Sequence, residues 1–362
     1  MSTTTPPRRG ARWLRPAALA AGVLALASHA LVPGAGAAEG DPFSSDPAAG
    51  PVGSEIAVSG QGCDGTTVSV SLRTQEAMPV TIGTTLVNVD EDGDWEGALV
   101  VPLTTAGTYD VVAVCGPSPG AGASFTYAPN TFTVVRPGPA RSIDDACPPG
   151  DVPGANFDDV PEGSAHAEAI DCIAWYEITQ GIGGSAYGPA RAVPRDQMAS
   201  FIARLIDYVD PGALGDVPAG DQFPCRSNPN ELPEGTAHHD AVQRLAAAGI
   251  VRGGPQNHPS DCYVPGLAVT RGQMASFVHG AEVFLGQGIT ASADYFADDD
   301  ASVHEDNINA IAEERIAVGF NDGSYRPESD IRRDQMASFL ARKLDYLVEA
   351  GATEPPPVAR IA

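Results

Sequence analysis

A seven-residue phrase that recurs three times constrains the fold of this chain more than any other feature. Residues 195–201 read RDQMASF, residues 271–277 read RGQMASF, and residues 333–339 read RDQMASF. A tyrosine stands eight residues before the arginine of each copy, and these tyrosines are Tyr187, Tyr263 and Tyr325. Internal repetition of this kind indicates several copies of one supersecondary unit that stack on each other.

Each copy carries the pattern of two helices. Upstream of the phrase, apolar residues recur at the spacing of one helical face: Ile170, Ile173, Ala174 and Ile178; Val242, Leu245, Ala246 and Ile250; Ile308, Ile311, Ala312 and Ile316. A glycine follows three residues later in each copy, where a helix commonly ends. The phrase itself, with its Met-x-x-Phe step, predicts the second helix. The repeats are therefore predicted to be all-α, helix-loop-helix units.

The starts of the second helices differ between the copies. Thr270 and Gln273 have the spacing of a capping box, whereas Pro194 and Arg332 stand where Thr270 stands in the second copy. We expect the first and third copies to begin this helix less firmly, by about 1 kcal/mol for a missing cap.

These residues resemble the S-layer homology (SLH) domain family. The family pattern opens with an aromatic-Asp-Val segment and continues through a helix that ends in Gly-Ile-x-x-Gly to a Thr-Arg-Ala-Glu helix start. Residues 157–160 (FDDV) match the opening, which is less clear near Phe223 and Phe296, and residues 249–253 (GIVRG) match the helix end. The resemblance implies a pseudo-threefold triple SLH unit, with repeats at residues 154–210, 216–286 and 294–350. It also implies that grooves between the repeats hold a secondary cell-wall polysaccharide or another acidic envelope glycan.

Two departures from the family pattern concern the ligand. The family glutamate is a glutamine in every copy, and the family threonine remains only at Thr270. Glutamine also serves in a capping box, so the fold is expected to persist while the identity of the polymer stays open.

The candidate polymer-binding residues recur in all three copies. A guanidinium at a helix start can bind a carboxylate beside the positive end of the helix, although the same arginines could pair only with neighbouring acids. The tyrosines could stack on sugar rings or pack in the core, and the glutamines occupy the family's glutamate position. The predicted polymer-binding set is Arg195, Arg271, Arg333, Gln197, Gln273, Gln335, Tyr187, Tyr263 and Tyr325.

The charge balance excludes nucleic acid as a partner. The chain has 46 acidic and 21 basic side chains and a formal net charge of −25, whereas nucleic-acid binding needs a basic surface that displaces counterions. Long-range attraction to an acidic glycan is absent for the same reason, so local cationic pockets must carry the binding.

Residues 1–38 are predicted to be a signal peptide. Arg8, Arg9, Arg12 and Arg15 precede an apolar stretch at residues 17–32, and small residues at 35–37 suit cleavage. The predicted mature protein is secreted to the cell envelope or cell surface and has no integral membrane span. The six cysteines of an exported chain suggest disulfides, and their neighbourhoods predict Cys63 with Cys115, Cys147 with Cys172, and Cys225 with Cys262.

Residues 41–135 alternate with the two-residue period of strands and predict an all-β sandwich. Residues 60–63 (GQGC) and 107–109 (GTY), with Cys115 closing the latter strand, resemble the immunoglobulin-like modules of secreted bacterial proteins. Asp90, Asp92 and Asp94 lack the twelfth-position glutamate of a calcium loop and are interpreted as a hairpin turn. Five prolines in residues 136–153 predict a stiff linker, and residues 351–362 a flexible tail.

Three further sequence patterns bear on metal binding and catalysis. His166, His238 and His304 occupy one repeat position, where a helix-entry hydrogen bond is favoured over anion or metal binding. Cys225, His238, His239, His258 and Cys262 lack the tight ligand spacing of zinc sites, so neither a metal nor a cofactor is predicted. No catalytic motif was found: Ile308 stands where a metalloprotease helix needs its second histidine.

The sequence thus predicts a multidomain, non-enzymatic surface protein with an immunoglobulin-like sandwich followed by a wall-binding triple SLH unit. Surface-layer subunits are further candidate partners. The alternatives are an accessory module of a cell-wall carbohydrate hydrolase, a weak hydrolase itself, and a freely secreted protein whose repeats serve as a scaffold.

Overall fold

The structure is a computed structural model that describes residues 42–116, 124–161, 163–228 and 231–357. The predicted signal peptide and residues 358–362 of the predicted tail lie outside the described residues. The chain has a β-sheet region followed by a helical region, as the alternating and helical periodicities predict.

The β-sheet region consists of two sheets. One sheet has the strand order β1-β3-β6, and the other has the order β2-β9-β7-β4-β5 with β8 paired to β7. All pairs are antiparallel except β2 with β9. The strands are β1 (Ser44–Asp46), β2 (Ala49–Gly50), β3 (Glu55–Gly60), β4 (Thr67–Thr74), β5 (Thr81–Asn88), β6 (Trp95–Val100), β7 (Gly107–Cys115), β8 (Phe125–Thr126) and β9 (Asn130–Val134).

Alternating residues of the two sheets meet in one hydrophobic core. Ile56 in β3 and Leu99 in β6 share this core with Val70 in β4 and Phe132 in β9. Successive strand side chains point to opposite faces, which is why every second residue of β3 is exposed. The shared core makes the two sheets one packed unit.

The Asp90 turn joins β5 to β6. Oδ1 of Asp90 accepts hydrogen bonds from the amides of Asp92 (3.0 Å) and Asp94 (2.9 Å). This carboxylate is occupied by the backbone of its own turn, in agreement with the hairpin interpretation.

The described part of the helical region contains six α-helices. The first helix of each repeat is short, and the second is longer and ends the repeat. They are α1 (Ala167–Trp175), α2 (Arg195–Val209), α3 (His239–Ala247), α4 (Arg271–Phe284), α5 (Glu305–Glu313) and α6 (Arg333–Glu349).

The apolar stripes expected from the sequence lie in one core. Ile170, Val242 and Ile308 from the short helices are buried with Met198, Met274 and Met336 from the long ones. The long helix of each repeat packs on the short helix of the next: α2 on α3, α4 on α5, and α6 on α1. The last repeat therefore closes against the first.

The capping prediction needs a correction. Thr270 and Gln273 form the expected capping box, but the first and third long helices do not lack an acceptor. The amide of Gln197 donates to Oδ1 of Asp196, and the amide of Gln335 donates to Oδ1 of Asp334, both at 2.7 Å. An aspartate in the first turn thus replaces the missing threonine hydroxyl at this amide.

The structure contains the three disulfides expected from the sequence, Cys63–Cys115, Cys147–Cys172 and Cys225–Cys262. The proline-rich segment that carries Cys147 packs against the helices. The amides of Asp145 (2.9 Å) and Ala146 (3.3 Å) donate to Asp345 of α6, and the Tyr176 hydroxyl donates to the Ala146 carbonyl (2.8 Å). Residues 145–147 are therefore part of the helical region.

Candidate functional site

The three predicted arginines join the repeats to each other. Nε of Arg195 donates to the carbonyl of Tyr263 (3.0 Å), and the Tyr263 hydroxyl donates back to the carbonyl of Arg195 (2.9 Å). Arg271 and Tyr325 make the same two bonds at 2.8 and 2.9 Å, as do Arg333 and Tyr187. Each arginine therefore binds the tyrosine of another repeat, and the three pairs form a closed cycle.

These pairs are buried and electrostatically coupled. The guanidinium carbon of each arginine lies 4.6 to 4.8 Å from the ring centroid of its tyrosine, which is cation–π distance. Burial lowers the pKa of Arg195, Arg271 and Arg333 and raises the pKa of the three tyrosine hydroxyls. The tyrosine rings also contact the aromatic residue that opens each repeat: Phe157, Phe223 and Phe296.

Tyr187, Tyr263 and Tyr325 pack in the core, because their side chains have no exposed surface. The loop before each tyrosine is held by an acid. Asp159 accepts from the amides of Tyr187 (2.7 Å) and Gly188 (2.8 Å), and Asp298 binds the amide of Tyr325 (2.8 Å) in the same way. In the second repeat Cys225 stands at the position of this aspartate and is bound in a disulfide. Glu231 accepts the hydrogen bond from the amide of Tyr263 instead.

The predicted glutamines have separate roles. Oε1 of Gln273 accepts a hydrogen bond from the amide of Thr270 (3.4 Å), and Oε1 of Gln335 accepts one from the amide of Arg332 (3.3 Å). These two bonds stabilise the first turns of α4 and α6. Gln197 instead accepts a hydrogen bond from Nη1 of Arg333 at 3.0 Å. The Nη2 atom of Arg333 is buried without a hydrogen-bond partner among the described residues.

The three histidines also link different repeats. Nδ1 of His238 lies 2.7 Å from the Ser200 hydroxyl, and Nδ1 of His304 lies 2.8 Å from the Ser276 hydroxyl. His166 and Ser338 make the equivalent contact at 2.8 Å across 172 residues. Burial lowers the pKa of His166 and His304. The sequence predicted a hydrogen bond within each helix entry, whereas the structure places it between repeats.

A ring of main-chain bonds lies at the meeting point of the repeats. The amide of Val193 donates to Ile331 (3.1 Å), that of Ile331 to Val269 (2.8 Å), and that of Val269 to Val193 (2.9 Å). All three side chains are fully buried. Sequence reasoning missed this ring, although each member stands two residues before the arginine phrase of its repeat.

A groove of about 750 Å³ opens where the second and third repeats meet. The end of α3 and the following loop form one wall, α4 forms the floor, and the start of α5 forms the other wall. Its polar lining includes Arg195, Arg252, Gln273, Ser276 and Asn307. Val283 and Val303 add apolar surface and are exposed to solvent.

The polar groups of this groove are fixed by one another. Nδ2 of Asn307 donates to the Ser276 hydroxyl (2.7 Å), which also contacts His304. Nη2 of Arg195 donates to the carbonyl of Arg252 (2.9 Å), while the side chain of Arg252 is exposed. The groove therefore combines hydrogen-bonding groups, one exposed cation and apolar patches, the set of contacts by which sugar rings and their substituents can be bound.

The only lysine of the chain is buried behind α4. Nζ of Lys343 lies 2.8 Å from a carboxylate oxygen of Glu282 and 2.8 Å from one of Glu314. Burial and the hydrogen bond to Glu282 raise the pKa of Glu314. Burial acts against ionisation of Glu282 as well, but contacts with His279, Glu314 and Lys343 lower its pKa below the usual range. The cluster thus places one cation between two buried carboxyl groups whose pKa values are shifted in opposite directions.

The cysteines and histidines of the second repeat do not form a zinc site among the described residues. Cys225 and Cys262 form a disulfide, and the His238 ring binds Ser200. Among the described residues, no helix is both long and apolar enough to cross a membrane.

The model of the S-layer homology domain family matches residues 234–275 and 297–337. SLH domains are cell-wall binding modules that generally anchor surface proteins. The two matched segments contribute both walls of the groove. No curated protein matches the chain.

Proposed function

We propose that this protein is a non-enzymatic, secreted surface protein that three SLH repeats hold noncovalently on a bacterial cell-wall polysaccharide. The observation that carries the proposal is that the two segments similar to SLH domains, which are wall-binding modules, meet at a groove lined by hydrogen-bonding, cationic and apolar side chains.

The proposal also counts residues 154–210, the first repeat, as an SLH repeat, although the family model does not match them. Its support is the closed set of contacts between repeats. Arg333 binds Tyr187, His166 binds Ser338, and α1 packs on α6 in the same manner as the contacts between the matched segments. A first segment of unrelated fold would not provide the same partners at the same repeat positions.

The groove beside α4 is the proposed polymer site. Of the three predicted arginines, Arg195 lines this groove, together with Gln273. Arg252 can reach an acidic substituent because its side chain is exposed, whereas the Arg195 guanidinium is mostly engaged with Tyr263 and Arg252 carbonyls. A net negative protein needs such a local cation to bind an acidic glycan.

The β-sheet region is proposed to be an immunoglobulin-like domain displayed by the anchor. The Tyr109 hydroxyl donates to the carbonyl of Thr105 at 2.8 Å. This contact is similar to the tyrosine corner of immunoglobulin domains, in which a tyrosine near the start of a strand binds the backbone just upstream.

The test is sedimentation of the whole chain with isolated cell walls, before and after chemical extraction of the secondary polysaccharide. Binding should be lost on extraction. Arg252→Ala should weaken it, while Arg226→Ala, which removes an exposed arginine of the same repeat outside the groove, should not. Alanine at Arg195, Arg271 or Arg333 would be less informative because it also breaks a buried contact between repeats.

Binding that survives extraction, or equal binding by both arginine variants, would contradict the proposed site. Release of reducing sugars from the walls would favour the hydrolase alternative. Failure of the wild-type chain to sediment with intact walls would support a secreted scaffold.

A further inference from the structure

The segment that opens the third repeat carries a cluster of acids. Asp294, Asp299 and Asp300 each place a carboxylate oxygen within 4.8 Å of the others. Asp298 and Glu305 lie close enough to act electrostatically on Asp299. A cluster of exposed acids is common on a chain this acidic, so the cluster alone carries no conclusion.

Asp299 separates this cluster from an ordinary acidic loop. Its side chain is fully buried, and both carboxylate oxygens lack a hydrogen-bond partner among the described residues. Two of the neighbouring acids do have partners: Asp298 binds the amides of Tyr325 and Arg326 at 2.8 Å, and Asp294 accepts from Asn309 at 3.2 Å. Burying a polar group without a hydrogen-bond partner costs folding free energy. A ligand that binds the Asp299 carboxylate would offset this cost.

The fold does not require an acid at this place. Val160 follows Phe157 by three residues, as Asp299 follows Phe296, and each amide faces the carbonyl of that phenylalanine (3.1 and 3.5 Å). The first repeat thus builds the same turn with an apolar side chain. The first residue of α1 is Ala167, whereas the first residue of the equivalent helix α5 is Glu305. The clustered carboxylates are therefore a feature of the third repeat and not of the first.

We propose that Asp294, Asp299 and Asp300 bind a calcium ion. Calcium prefers carboxylate and other oxygen ligands at about 2.3 to 2.6 Å, so oxygens that share one ion lie within about 5 Å of each other. The three carboxylates meet this condition. The ion would supply the missing partner of Asp299 and offset the repulsion between the acids around it.

The surroundings give the ion access and a structural role. Asp294 and Asp300 line a cleft of about 610 Å³ whose opposite wall includes Ser54 and Glu55 of the β-sheet region. Water and remaining oxygen ligands can enter from this cleft. A bound ion would hold residues 294–300 in place beside the contact between the β-sheet and helical regions.

The experiment is titration of the purified whole chain with calcium chloride by isothermal calorimetry, with a thermal unfolding series alongside. The wild type should show one site with a dissociation constant on the order of 10⁻⁴ to 10⁻³ M, the range of extracellular calcium modules, and weaker binding of magnesium. Its melting temperature should rise with calcium. Asp299→Val, which copies Val160, should remain folded but bind at least tenfold more weakly and lose the calcium-dependent rise.

Asp92→Asn is the control for nonspecific binding of calcium to an acidic protein. This variant removes one charge from the exposed hairpin turn and should bind calcium as the wild type does. If Asp299→Val does not fold, Asp300→Asn serves in its place, with the same expected tenfold loss. Equal calcium binding by wild type and the site variants, or a loss of the same size in Asp92→Asn, would overturn the proposal.

Discussion

Arg333 and Tyr187 are 146 residues apart and exchange two hydrogen bonds. Nε of Arg333 donates to the Tyr187 carbonyl at 2.8 Å, and the Tyr187 hydroxyl donates to the Arg333 carbonyl at 2.9 Å. The pair joins the last repeat to the first, which a linear array of repeats would leave apart. Closure removes the two exposed ends that such an array must otherwise cap.

Tyr187→Phe should destabilise the closed arrangement. The change removes one of the two hydrogen bonds that the Arg333 carbonyl accepts, because the helical amide of α6 remains as the other donor. We therefore expect a loss of about 0.5 to 1.5 kcal/mol in the free energy of unfolding. Urea denaturation followed by circular dichroism measures it. Tyr208→Phe is the matched control, because its hydroxyl binds the carbonyl of Glu354 near the surface and water can replace that bond. Equal stability of Tyr187→Phe and the wild type would show that closure does not depend on this bond.

Local patterns in the sequence predict most of the secondary structure because helices and strands have their own periods. The spacing of Ile170 and Ile173 predicts α1, whereas Ile178, which the same stripe assigned to the helix, lies after its end at Trp175. The disulfide partners also follow from position, since Cys225 and Cys262 belong to the same repeat. Aspartate as a substitute cap, as at Asp334, was missed because the prediction considered only the residue before the helix.

The candidate site was less predictable because its contacts join distant residues. Arg195 was expected on a solvated surface or at a ligand, since arginines are seldom buried, but its partner Tyr263 belongs to another repeat. The contact of His166 with Ser338 has no local signal at all. Asp299 could have been noticed by comparison with Val160, because an acid replaces an apolar residue at an equivalent turn.

Lys343→Met should be strongly destabilising. The substitution leaves Glu282 and Glu314 buried without their cation, and breaking a buried ion pair from one side typically costs about 3 to 5 kcal/mol. Arg326→Met is the comparison, because Arg326 pairs with Asp322 where both side chains are about half exposed, and such exposed pairs contribute little to stability. Chemical denaturation of the two variants measures the difference. Similar losses in both would show that the Lys343 cluster is hydrated rather than buried.

Removal of one disulfide should reveal its contribution to the helical region. Cys147 and Cys172 are 25 residues apart and join the proline-rich segment to α1, so replacing both with alanine should lower the free energy of unfolding by about 3 to 4 kcal/mol in the chain-entropy model. Peptide mapping under non-reducing conditions should still find Cys63 joined to Cys115 and Cys225 to Cys262. A different pairing in the wild type, such as Cys115 with Cys147, would contradict the structure.

Glu314 should make the protein less stable as the pH rises. Burial raises its pKa in the folded state, so above the ordinary carboxyl pKa the folded chain holds a proton that the unfolded chain has lost. The free energy of unfolding then falls with increasing pH, by up to about 1.4 kcal/mol per pH unit from this group, until the raised pKa is passed. Glu314→Gln imitates the protonated acid and should remove this part of the slope between about pH 5 and about pH 8.

The measurement is urea denaturation of wild type and Glu314→Gln across that range. His166 and His304 have lowered pKa values, which makes the protein more stable as the pH rises through their titration, but they are present in both chains and cancel in the difference. The wild type should therefore lose its stability relative to Glu314→Gln steadily with pH. A constant difference between the two chains would mean that Glu314 is ionised in the folded protein and that Lys343 balances both carboxylates.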